Sequence, residues 1–99
     1  MIRIIYKWRL KSATELVNFQ LAWAKATTVI RENTPGARGS FLLQSLNDPT
    51  EVLTIARWDR LDDWKLFWED PNRSELSEMH LYAERLSEAA YHEIEDHTI

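Results

Sequence analysis

The sequence predicts an α+β fold in which two amphipathic helices cover one face of an antiparallel sheet, in the order β-α-β-β-α-β. Three observations predict it. Residues Ile2 to Leu10 alternate with period two, a long segment after Ser12 places apolar residues three and four apart, and two apolar-rich runs that read as strands flank the turn Asn47-Asp48-Pro49-Thr50.

The elements follow in order. Ile2, Ile4, Tyr6, Trp8 and Leu10 share one face of the first strand, and Arg3, Ile5, Lys7 and Arg9 share the other. Ser12 with Glu15 has the form of a capping box, and Leu16, Phe19, Trp23, Ala26 and Ile30 then form one stripe of a helix. Asn33, Pro35 and Gly36 end that helix, with Asn33 suited to a left-handed cap. Phe41 to Leu46 and Val52 to Trp58 read as a hairpin. Asp59 is expected to cap a second helix carrying Leu61, Trp64, Phe67 and Trp68, broken at Asp70-Pro71-Asn72. Ser74 is expected to cap a further helical segment through Leu76, Met79, Ala83 and Leu86, and Ala89 to Glu95 closes the chain as a strand. This is the ferredoxin-like plan, in one domain spanning residues 1–99.

The chain has 99 residues, 44% hydrophobic and 28% charged, with no cysteine and only two glycines. A domain this small buries about two-thirds of its unfolded surface and gains core by pairing with a copy of itself. The outer face of the first strand is too apolar at Ile5 for a solvated surface and too charged for a core, so a homodimer packed sheet to sheet is expected. Net charge is -4, from 12 basic and 16 acidic residues, which disfavours partners bound through phosphates, namely nucleic acid and anionic membrane. No apolar run reaches the length of a membrane span, and no leader pattern opens the chain, so the expected compartment is cytoplasmic.

Without cysteine there is no thiolate ligand or nucleophile, and two glycines cannot build a phosphate-binding loop. His80, His92 and His97 are not at ligand spacing, so neither a metal nor a bound cofactor is expected. Arg3, Lys7 and Arg9 facing Glu93 and Glu95 read as a cross-strand charge ladder. The lead lies in the aromatics. Five tryptophans stand in 99 residues, and Trp8, Trp23, Trp64, Phe67 and Trp68 converge from strand and helices on the space beneath the sheet. Such rings fill small cores, and together they also line flat apolar ligand pockets, with Tyr6, Tyr82 and His80 as polar handles.

The sequence Thr54-Ile55-Ala56-Arg57-Trp58-Asp59-Arg60-Leu61-Asp62-Asp63-Trp64 resembles the strand ending in Trp and leading into a helix that marks the antibiotic biosynthesis monooxygenase (ABM)-like family of dimeric α+β barrels. Trp68-Glu69-Asp70-Pro71-Asn72 is similar to the break that follows. The resemblance implies two ferredoxin-like subunits packed sheet to sheet, each with a pocket between its sheet and helices. It places Trp58 at the structural strand end, Trp64 and Phe67 at the helix aromatics, and Tyr6 and Trp8 at pocket-facing positions of the first strand. Members oxidise aromatic polyketides or quinols without metal or bound flavin, and others degrade haem. The haem positions, an Asn, a Trp and a His, correspond here to Trp8, Phe67 and Ser77, with His80 one turn from the last. The expected function is thus a cofactor-independent monooxygenase-like protein acting on a small apolar aromatic, with His80, Tyr6 and Tyr82 holding or deprotonating it. The alternatives are a non-enzymatic homodimer that binds a small ligand or serves as an accessory protein, and a haem-binding protein.

Overall fold

A computed structural model of the chain describes residues 1–70, 74 and 76–98. The opening alternation forms strand β1, Ile2–Leu10, and the three-four stripe forms helix α1, Leu16–Asn33. Strands β2, Ala37–Gln44, and β3, Glu51–Trp58, make the hairpin, followed by helix α2, Leu61–Glu69, and strand β4, Ala83–His92. The four strands pair antiparallel in the order β2-β3-β1-β4, the ferredoxin-like arrangement with α1 and α2 on one face.

The core lies between that face and the helices. Ile4, Tyr6, Trp8 and Leu10 of β1, Val52 and Trp58 of β3, Phe19, Ala22 and Ala26 of α1, and Phe67 of α2 are all buried. Side chains such as Ile4 and Leu10 each contribute about 1.5–3 kcal/mol by leaving water. The opposite sheet face carries a different row. Phe41, Ile55, Ile5 and Ala89 are direct cross-strand partners, so an apolar line crosses all four strands on the side opposite α1 and α2.

The structure differs from expectation in several places. Ser12 and Glu15 make no capping box: Ser12 Oγ pairs with Thr14 Oγ1 at 2.6 Å, Glu15 accepts from Asn18 at 3.2 Å, and a 3₁₀ turn at Ala13–Glu15 leads into α1. Asn33 takes no left-handed conformation. It is the last residue of α1, donating from its side chain to Val29 O at 2.8 Å, and the turn beyond uses Gly36 at φ +83°. A Cβ on Gly36 would collide with the Asp63 carboxylate, so both backbone and space require glycine there. Strand β2 begins four residues before Phe41 and ends at Gln44, because irregular pairing across Arg38 and Gly39 disguises its alternation. Asp59 does not cap α2. Arg38 claims both its oxygens, at 2.8 and 2.9 Å, and Arg60 stands at the cap position with no side-chain bond.

The segment through Leu76, Met79, Ala83 and Leu86 is not a helix. Ser77–Leu81 is a 3₁₀ turn and Ala83 and Leu86 lie on β4, which starts six residues earlier than Ala89 and ends at His92. Ser74 bonds that turn through its carbonyl, accepting from Ser77. Pro71 and Asn72, expected to break the second helix, lie outside the described residues.

Candidate functional site

Beneath the sheet, a cavity of about 50 Å³ is walled by Tyr6 and Trp8 of β1, Thr54, Ala56 and Trp58 of β3, Ser40 of β2, Trp23, Thr27 and Ile30 of α1, Phe67 of α2, and Leu76 and Met79. The period-two alternation of β1 and β3 turns their alternate side chains toward it, and α1 brings Trp23, Thr27 and Ile30 on one stripe. Its wall is mostly ring and methyl, and wall hydroxyls accept the two indole N–H groups. Trp8 Nε1 donates to Thr54 Oγ1 at 3.0 Å, and Trp23 Nε1 donates to Ser40 Oγ at 2.7 Å. Thr27 Oγ1 and Ser40 Oγ are 3.3 Å apart. At about a third of the roughly 150 Å³ that holds benzene in an engineered apolar cavity, the space has room for water, and an aromatic ligand requires its walls to move.

A second aromatic group adjoins the first. Trp64 stacks on Trp68 (5.7 Å between centroids, 24° between planes), and Trp68 stacks on Tyr6 (5.6 Å, 22°). Trp64 Nε1 donates to Tyr6 Oη at 3.0 Å, and the Arg85 guanidinium lies 4.5 Å above the Trp68 ring, a cation–π contact. Tyr6 belongs to both groups, since it lines the cavity and accepts from the stack.

The predicted site residues therefore divide. Tyr6, Trp8, Trp23 and Phe67 line the cavity, whereas Trp64 and Trp68 stand behind Tyr6 outside its wall. Trp58, expected only as a structural strand end, lines it. His80 is exposed in the 3₁₀ turn, with its ring 5.1 Å from that of Trp8, and Tyr82 is half-buried just beyond; neither lines the cavity. His80 does not line this cavity, so the cavity offers a porphyrin iron no ligand from that residue. Thr54, Ser40 and Thr27 are wall residues that sequence pattern does not single out. Threonine is ordinary in strands, and the one available signal was a polar residue on the apolar face of β3.

The charges gather on the other face of the sheet. Glu93 accepts from Arg3 Nε at 2.7 Å and from Arg57 Nη2 at 3.0 Å, so part of the expected ladder forms; Lys7 instead pairs with Glu51 at 3.5 Å and Glu95 with His97 at 3.2 Å. The Arg3 hydrogen bond, seconded by Arg57, holds the Glu93 carboxyl below its ordinary value against partial desolvation. Arg38 does the same for Asp59. Among the described residues no group of three or more His, Asp or Glu side chains could hold a metal ion, and no helix is long and apolar enough to cross a membrane.

Comparison with solved structures decides the fold. SnoaB, a cofactor-independent oxygenase from Streptomyces nogalater, superimposes with a TM-score of 0.75 over 97% of this chain and 95% of its own, at 12% identity. The fold is that of the antibiotic biosynthesis monooxygenase (ABM)-like proteins. HapK from Hahella chejuensis superimposes with a TM-score of 0.79 over 100% and 98% of the two chains, at 16% identity. A protein described as a candidate antibiotic biosynthesis monooxygenase from Nitrosomonas europaea gives 0.73 over 96% and 100%, at 17% identity. No family model and no curated protein matches the sequence.

Proposed function

We propose that this ABM-like fold serves as a cofactor-independent monooxygenase acting on a small, apolar, electron-rich aromatic such as a quinol or a polyketide phenol. The observation that carries this is the ring-walled cavity between sheet and helices, on a fold shared with a cofactor-independent oxygenase. In such chemistry the deprotonated substrate supplies the electrons that reduce oxygen, and the protein supplies burial, orientation and stabilisation of the anion. Trp8, Trp23 and Phe67 hold the ring. Trp64 and Trp68 brace Tyr6, whose ring forms part of the wall, while His80 and Tyr82 stand outside the wall and frame the solvent side of Trp8.

The working form is a homodimer in the cytoplasm. Its interface is the uncovered sheet face, where Phe41, Ile55, Ile5 and Ala89 form the apolar row. Oxygen uptake measured with a panel of quinols and polyhydroxylated arenes tests the activity. Uptake above buffer for one member supports it, and rates equal to buffer for all of them refute it. The small volume of the cavity favours a second reading, a dimer that binds a small aromatic without turnover. That reading predicts ligand-induced tryptophan quenching with no oxygen uptake.

A further inference from the structure

We propose that Thr54 is a ligand-binding residue, its hydroxyl donating a hydrogen bond to an acceptor oxygen, carbonyl or phenolate, on the aromatic bound in the cavity. The inference deepens the proposed function and rests on it. Thr54 is 4% exposed, the one buried polar side chain among the described residues, and it stands in the cavity wall opposite Tyr6 on the neighbouring strand. A hydroxyl has one proton to give and two lone pairs to receive. The Trp8 indole can only donate, so its 3.0 Å bond occupies a lone pair of Thr54 and leaves the proton uncommitted. No second protein group bonds this hydroxyl among the described residues. A strand threonine also lacks the local outlet that Thr28 finds in α1, where it bonds Ala24 O at 2.9 Å.

The far end of the cavity has the same imbalance. Trp23 Nε1 occupies a lone pair of Ser40, and between Ser40 and Thr27 only one hydroxyl can donate to the other. Whichever does so, the other's proton is left over. The wall thus carries two indole N–H groups already satisfied and two hydroxyl protons that are not. Ser40 lies opposite Ala56, and Thr54 is two residues along the same strand, a diagonal pair about 7–8 Å apart. A hydrocarbon leaves both protons unmet, and a neutral phenol accepts one while bringing a proton of its own. A quinone, an aryl ketone or a phenolate brings the missing acceptors. Binding by Thr54 therefore favours the anionic form that oxygen chemistry needs.

The test compares 1-tetralone, a bicyclic aryl ketone, with tetralin, which has the same rings and no acceptor, in NMR titrations followed at the indole N–H resonances. The wild-type protein should bind the ketone about tenfold more tightly, the worth of one neutral hydrogen bond. Thr54→Ser should keep the preference, and removing the hydroxyl in Thr54→Val should lower it. Because Thr54→Val orphans the Trp8 N–H and could fail to fold, Trp8→Phe/Thr54→Val, which removes both partners, is compared with Trp8→Phe alone. A preference no smaller in Trp8→Phe/Thr54→Val than in Trp8→Phe alone, or a wild-type protein that binds both compounds equally, overturns the role of Thr54 while leaving the aromatic pocket standing. A wild-type protein that binds neither overturns the pocket and Thr54 together.

Discussion

Replacing Phe41 by alanine tests the uncovered sheet face quantitatively. Phe41 is 59% exposed and heads the apolar row with Ile55 and Ile5. Burying a whole Phe side chain is worth about 1.5–3 kcal/mol, so covering the exposed fraction recovers about 0.9–1.8 kcal/mol per chain. A two-fold interface counts each residue twice, giving about 2–3.5 kcal/mol and a dimer dissociation constant weakened about 30- to 400-fold. The single chain should barely notice, since the ring lies on an edge strand with most of its surface in water. Sedimentation equilibrium measures the constant, and urea melts of the dissociated protein check the fold. A constant that moves by less than about threefold, or a wild-type protein that stays monomeric, would refute sheet-to-sheet pairing through this row.

Three further outcomes follow from the geometry. Glu93→Gln should lower stability at neutral pH and flatten the acid limb. The folded-state pKa of Glu93 is depressed below its ordinary 4.5, so its contribution is present above that value and is lost as pH falls through the lowered one. Melting curves of both proteins from pH 7 to pH 2 should therefore converge as the pH drops; an unchanged gap at low pH would contradict the ion pair's role. Gly36→Ala should cost at least about 1–2 kcal/mol in urea unfolding, from its positive φ and from crowding against Asp63. Trp64→Phe removes the bond to Tyr6 Oη while keeping a ring in the stack, so it should cost about 1 kcal/mol in the same assay.

How far these features are legible in the sequence depends on whether periodicity decides them. β1 and α1 are, because Ile2 to Leu10 fits only period two and Leu16 to Ile30 fits only a helical stripe. β4 is not. Leu76, Met79, Ala83 and Leu86 have helical spacing by coincidence: Met79 is buried from a 3₁₀ turn, Ala83 from a strand, and Leu86 is the extra residue where the β1 register shifts, 40% exposed. A bulge adds one residue to a period-two pattern and so imitates a period near three. Asp59 has the chemistry of a cap, but an arginine distant in sequence outcompetes the backbone for it. In the site, large rings announce themselves by size, which is why Trp8, Trp23 and Phe67 could be placed. Thr54 could not, since its importance lies in a proton left over after Trp8 has bonded it, and no spacing encodes that.

The stacking of Trp64 on Trp68, nearly parallel at 5.7 Å, has an optical consequence. Two indoles stacked this close with a twist between their transition dipoles couple their excited states and contribute a signed pair of bands to the circular dichroism, in the region where helices are usually read. Among the described residues α-helix is limited to α1 and α2, so that contribution distorts any helix content taken from the spectrum. Dichroism thus reports on the ring stack beside the cavity as much as on the backbone, and a ligand that shifts Tyr6 should announce itself there without changing a single turn of helix.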